Sequence, residues 1–333
     1  MPGIHLVAAL SLALVGVVED VTGLLLDTLW GTAFDLLAGL TGVDLLAFPF
    51  MQRAYLAAIC IAVIGPLVGS FLVHREMAMI GDTLAHSAFA GVAAGLFVNA
   101  VFAVTVPPLL SALVVAAVAA LVVQTLVDYA GTYRDTSLAI VLTGSFAVGS
   151  VLITATDGGI AVGINAYLFG SLATVSRANA ALLFALSALV TFGVTVAYRP
   201  LVYVTFDEVG ARAAGIDVRR YNQLLAVLTA VVVVGAMQIM GVILVAAMLV
   251  VPVAAASEIR GFKRSVVGAV VAGQFATVTG VSVSYRYDVA AGGSIVLVAI
   301  AIYGAVAVGS RVRRRVTTRR QSVTGRENHD EAN

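Results

Sequence analysis

The sequence predicts an all-α polytopic membrane protein of about eight to nine transmembrane helices with one re-entrant or half-helix segment. Three observations lead there. Of the 333 residues, 61% are hydrophobic and 11% charged, whereas soluble domains carry roughly 25% charged residues. The mean hydropathy is +1.04, and the apolar residues fall in successive blocks close to the roughly 20 residues that a bilayer crossing needs. Finally, Arg and Lys concentrate in alternate connecting segments, the asymmetry that orients a chain in a membrane.

Residues 1–47 read as an N-terminal extension. Within it, Ile4–Val18 is apolar but only as long as a signal-peptide core, with no Lys or Arg before it; a cleaved signal and a short extra anchor both fit. Leu24–Leu40 reads as an amphipathic helix, with Leu25, Leu29, Leu36 and Leu40 on one side and Thr28, Thr32, Asp35 and Gly39 on the other. Its acidic polar face argues against anionic lipid and for an interfacial helix or packing arm.

Residues 48–310 read as the transmembrane domain. Its candidate spans are Ala54–Val73, Met77–Val98, Val106–Val127, Ser137–Thr156, Ala180–Tyr198, Gln223–Gln238, Gly241–Ser257, Ser265–Ser284 and Ser294–Ser310. Gln223–Gln238 and Gly241–Ser257 are short, which suggests tilt or a break around Gly241. Ile160–Val175 is shorter still and reads as the half-helix segment on the outer side. Irregular backbone at that depth needs protein or a water-filled cavity around it. Arg75, Arg134, Arg199, Arg212, Arg219, Arg220, Arg260, Lys263, Arg264 and Arg311–Arg320 then share the cytoplasmic side, with Arg177 and Arg286 as exceptions. Residues 311–333 are predicted to be a disordered cytoplasmic tail.

Several chemistries are excluded early. The single cysteine, Cys60, rules out a disulfide framework or thiolate cage within one chain. Lys263, the only lysine, is followed by Arg264, so the phosphate-binding loop of an ATPase is absent; a motor driving this chain must be another polypeptide. The net charge of +1 carries little, and no nucleic-acid partner is expected.

Two stretches stand out. In Gly81–Gly95, GDTLAHSAFAGVAAG, Asp82 and His86 are four residues apart and therefore share a helix face. An ionised Asp near the centre of a membrane helix costs about 2.5–3.5 kcal/mol, and a carboxylate beside an imidazole is half of a divalent-cation site. A pair that only joins two helices is the alternative. Ser87, Gly91 and Gly95 recur every four residues as a small-residue ridge for close helix packing. The second stretch is Thr205–Leu224, TFDEVGARAAGIDVRRYNQL. Asp207 stands where a helix N-cap belongs, Ala211 lies in a small-residue core, and Gly215 suits a helix C-terminus. A short helix docking a partner and a solvated loop both fit.

Together these stretches resemble the metal-ion permease family of ABC importers, the membrane subunits of zinc and manganese uptake systems. The resemblance spans about Phe48 to Ser310. It rests on PFMQRA (Pro49–Ala54), GPLVGSFLVHREMAMIGDTLAHSAFAGVAAG (Gly65–Gly95), DTSLAIVLTGSFAVG (Asp135–Gly149), AYLFGSL (Ala166–Leu172), FDEVGARAAGI (Phe206–Ile216), GVILVAAMLVVPVAAA (Gly241–Ala256) and YDVAAGGSIVL (Tyr287–Leu297). It implies a type II importer-like fold in the cytoplasmic membrane of a prokaryote, and no permanently bound cofactor. It also implies metal ligands at Asp82 and His86, and an ATPase-coupling loop at Asp207, Ala211 and Gly215. The implied partners are a second copy of the chain, a cytoplasmic ATP-binding subunit and an extracellular metal-binding protein. Two departures stand out. The zinc branch often has His near Thr143, and the last motif usually has Pro at Ala290. The first tilts the reading towards manganese or mixed specificity.

The competing function class is a secondary transporter or channel driven by an ion gradient. Such proteins carry several buried acids and matched broken repeats, whereas only Asp82 is read inside a span here. A siderophore or cobalamin permease would have no use for a buried Asp–His pair. Asp157 and Asp288 are outer-face candidates for attracting cations, with a solvated carboxylate as the plainer reading. His5, His74 and His329 are expected to be incidental, and Tyr167 and Phe169 to pack.

Overall fold

The computed structural model describes residues 30–41, 47–102, 105–130, 134–155, 161–171 and 175–330. Among these, all regular structure is helical, in the order α1 Gly31–Thr41, α2 Pro49–His74, α3 Met79–Phe102, α4 Pro108–Ala130, α5 Arg134–Thr154, α6 Ala161–Phe169, α7 Arg177–Val196, α8 Tyr198–Phe206, α9 Glu208–Ala213, α10 Val218–Met240, α11 Val245–Ala255, α12 Phe262–Tyr287 and α13 Ala291–Asp330. Eight of them, α2–α5, α7, α10, α12 and the first half of α13, are long and apolar enough to cross a membrane.

α2 and α10 form the centre. In their most apolar stretches 72% and 83% of residues are buried, against 17% for α5 at the edge. This central position explains their near-continuous apolar sequences, because a helix enclosed by others needs no polar face. Hydroxyl side chains in the spans turn onto carbonyls one turn back, as in Ser70 to Pro66 (2.7 Å) and Thr229 to Leu225 (2.7 Å), which satisfies them without water. α12 lies along α2, tied by Tyr55 Oη to Ser282 Oγ (2.7 Å) and by Gln274 Nε2 donating to the Ile59 carbonyl (3.0 Å). α1 rests on the start of α2, where the Trp30 indole donates to the Gln52 carbonyl (3.0 Å) and Phe34 packs on Tyr55.

Two of the sequence-predicted spans differ in the structure. The segment taken as Gln223–Gln238 is a full 23-residue helix. It begins six residues before Leu224 because Asp217 caps it, accepting from the Arg220 N–H. The segment Gly241–Ser257 contributes only the 11-residue α11, so eight of the nine candidate segments remain as spans among the described residues, within the eight to nine expected. α13 runs from Ala291 to Asp330. The segment 1–29, including Ile4–Val18, and Asp157 lie outside the described residues.

The break at Gly241 and the half-helix α6 are one feature. Gly241 and Gly170 both have positive φ, +80° and +75°, a region costly for side-chain-bearing residues. The backbone after each helix caps the other helix's end: Val242 N–H donates to Tyr167 O (2.9 Å) and Ile243 N–H to Leu168 O (3.4 Å) at the end of α6, and Ser171 N–H donates to Gln238 O (3.2 Å) at the end of α10. Each segment thus satisfies groups that a broken helix would leave bare in lipid. At the same joint, Gly292 in the first turn of α13 approaches Met240 so closely that an added Cβ would run into the Met240 carbonyl.

Candidate metal pair and docking segment

α3 carries Asp82 and His86 on one face. His86 Nδ1 lies 3.8 Å from Asp82 Oδ1 and 3.2 Å from the Asp82 carbonyl oxygen. Their side chains are 20% and 43% exposed for His86 and Asp82 respectively, open enough for an ion to reach. Asp82 is in the first turn of the helix, not near its middle as the insertion cost assumed. The chain turns sharply at Arg75–Ala78, so α3 starts only at Met79. The Asp82 carboxylate therefore stands in the first turn of α3, where the helix dipole favours negative charge by about 0.3–1 kcal/mol.

The pair is set by packing between α3 and α5. The Phe146 ring of α5 stands 5.5 Å from the His86 imidazole and stacks on Phe89 at 5.5 Å. Thr83 Oγ1 donates to the carbonyls of Met79 (3.1 Å) and Leu138 (3.4 Å), and Ser87 Oγ meets Ser145 Oγ at 2.9 Å. Gly91 faces Ala112 and Val115 of α4, and Gly95 faces Ser111. The ridge Ser87, Gly91 and Gly95 therefore brings both α4 and α5 against α3. Thr143, exposed on α5, turns its hydroxyl onto the Ala139 carbonyl (2.8 Å).

Among the described residues no group of three or more His, Cys, Asp or Glu side chains gathers. One chain thus offers two candidate ligands, a carboxylate oxygen and an imidazole nitrogen, groups that bind Zn²⁺ or Mn²⁺ in sites where further ligands are supplied. Asp288 is exposed at the C-terminal end of α12 with φ +51°. The Ser284 hydroxyl donates to Val289 O (2.6 Å), closing that helix end.

In the candidate docking segment, Asp207 caps α9 by accepting from the Gly210 N–H (2.8 Å). Ala211 is fully buried between Val204 and Val218. Gly215 follows the helix at φ +78° in open space, and the Ile216 N–H reaches back to the Ala211 carbonyl (3.0 Å). Arg212 and Glu208 pair on the surface (2.6 Å), and Val209 is 80% exposed.

Sequence reasoning passed over two residues beside this segment. The ring of His74, read as incidental, meets Phe206 (5.6 Å) and Phe262 (5.2 Å) edge-on. Arg75, read as a topology signal, donates to Asn222 Oδ1 (2.8 Å). No sequence signal marks either contact, because the partners lie over a hundred residues away. Burial raises the pKa of the neighbouring Tyr198 phenol, which lies under the Lys263 ammonium (5.4 Å).

A family model described as the ABC 3 transport family matches residues 47–309. The chain is 33% identical over 263 residues to the manganese transport system membrane protein MntC of Halalkalibacterium halodurans, covering 78% of this chain and 87% of that protein. It is 29% identical over 257 residues to the manganese import system permease protein ScaB of Streptococcus gordonii, covering 77% and 90%. Its structure is similar to PsaBC from Streptococcus pneumoniae, solved in complex with Fab, with TM-score 0.70, 29% identity, and 79% and 92% of the two chains covered.

Proposed function

Since the chain belongs to the ABC 3 transport family, we propose that this membrane permease of a metal ABC importer carries divalent transition metal, manganese ahead of zinc, along a path lined by Asp82 and His86. It is a multi-span protein of the bacterial plasma membrane and not itself an enzyme. Similarity to the manganese permeases MntC and ScaB supports manganese, and the Thr at position 143 agrees with it. A two-fold dimer makes one surface meet itself, so two copies would bring two carboxylates and two imidazoles to one ion. Such a set without thiolate binds modestly, as transport requires, because the ion must leave. The Glu208–Ala213 helix docks the ATP-hydrolysing subunit, with Asp207 and Gly215 holding its ends and Ala211 its underside. An extracellular metal-binding protein delivers the ion.

The observation that carries this reading is the family match across residues 47–309 together with an Asp–His pair on one accessible helix face. The test is uptake and metal content in cells with and without the chain, across manganese, zinc, iron and cobalt. Manganese-selective accumulation that depends on ATP supports it. Uptake that persists without the ATPase and follows an ion gradient would favour a secondary transporter instead.

A further inference from the structure

Phe262, the first residue of α12, is the hub of an aromatic cluster at the end of the bundle that carries the docking segment. Its ring lies 5.1 Å from Phe71, 5.2 Å from His74, 6.4 Å from Tyr198 and 5.5 Å from Phe206. Phe206 ends α8 and precedes the Asp207 cap of the docking helix. His74 ends α2, and its ring also touches Phe206 directly. A second tie runs parallel: the Arg75 guanidinium donates to Asn222 Oδ1 (2.8 Å) on α10 and to the Val204 carbonyl (3.5 Å) on α8. The residues that follow, Arg75–Ala78, form a tight turn with Glu76 at φ +56° and Met77 N–H bonded to Leu72 O (2.9 Å). A non-glycine residue held there has little freedom to absorb displacement. Four residues after that turn, in the first turn of α3, stands Asp82.

We propose that Phe262, His74 and Arg75 form a relay that couples the Glu208–Ala213 docking helix to the Asp82–His86 pair, an inference that rests on the permease reading above. A shift of α8 and α9 under the ATPase moves the rings and the guanidinium seated on them. The short turn hands that displacement to the start of α3, and so to the metal pair. Close-packed rings transmit such movement because they have no free volume in which to lose it. These are positioning residues: they touch neither metal nor nucleotide.

The test uses the complete transporter, permease with ATPase and metal-binding protein, in proteoliposomes with manganese. In Phe262→Ala and Arg75→Ala the ATPase should still co-purify, with unchanged basal hydrolysis and unchanged KM for ATP. Metal-stimulated hydrolysis and manganese uptake should fall together by about tenfold, a usual size for coupling between two sites. The pair of changes should be less than additive, since both cut one relay. Phe262→Tyr, which keeps the ring, should restore stimulation. Normal stimulation and uptake in both alanine variants overturns the relay. So does loss of the ATPase from the purified complex, which would make the cluster part of the docking platform. A parent complex that itself moves no divalent metal overturns the permease reading, and the relay with it.

Discussion

His86 turns its Nδ1 onto the backbone of its own helix, 3.2 Å from the Asp82 carbonyl oxygen, while the Asp82 carboxylate stands 3.8 Å from the same nitrogen. A carbonyl can only accept, so Nδ1 is the donor in this contact, and Nε2 is the nitrogen that makes no contact with that carbonyl. Orienting one imidazole nitrogen through the other is a recurrent device of metal sites.

From this geometry, His86→Ala and Asp82→Asn should each lower metal uptake by more than about tenfold, the scale that losing even an outer-shell partner produces. Expression and association with the ATPase should persist. Asp82→Asn should change stability by less than about 1 kcal/mol, the size of a helix-terminus charge interaction. Radiolabelled manganese uptake, with thermal unfolding in detergent, checks both. Uptake at the parent's rate in both variants would make the pair structural.

Replacing Gly215 with Val places a β-branched residue at φ +78°. No neighbour stands in the way, so the cost is backbone strain of about 1–3 kcal/mol, confined to the end of α9. The expected result is a folded permease that loses co-purifying ATPase. Retained ATPase with normal transport would remove the docking role from this segment.

Gly292 and Gly293 are adjacent and should behave oppositely. A Cβ at Gly292 runs into the Met240 carbonyl, whereas one at Gly293 meets open space. Gly292→Ala should destabilise by about 1–3 kcal/mol through forced displacement. Gly293→Ala should be neutral or stabilising, by up to about 1 kcal/mol from helix propensity. Thermal melting of the two variants in one detergent decides it.

Arg75, Arg199, Arg212, Arg219, Arg220, Lys263 and Arg264 make the end that carries α8, α9 and the start of α12 cytoplasmic under the charge rule. With Cys60 replaced, a cysteine at Arg264 should resist an impermeant reagent applied outside, and one at Asp288 should react. The reverse pattern would invert the topology.

The spans, the break at Gly241 and the caps at Asp207 and Gly215 were legible because each is a local event in the chain. Hydropathy over about 20 residues, one positive-φ glycine and one N-cap carboxylate carry their own signatures. The depth of Asp82 was not, because it depends on where the Arg75–Ala78 turn lets α3 begin. The length of α10 was missed because its first turn, Val218–Tyr221, is polar and looks like loop. Phe146 beside His86 and the rings around Phe262 were invisible for a different reason. They join residues distant in sequence, and an aromatic in an apolar run gives no hint of its neighbour.

The pairing of α6 with the break at Gly241 also sets an order of assembly. Tyr167 and Leu168 leave the ribosome about 75 residues before Val242 and Ile243, and at ~5–20 residues per second that gap lasts about 4–15 s. Until then the carbonyls of the half-helix have no partner in lipid. α6 must therefore wait at the membrane surface or within the insertion machinery, and settles only when α10 has been threaded. Truncated nascent chains ending before Val242 should leave α6 open to protease, while chains extending past α13 should shield it.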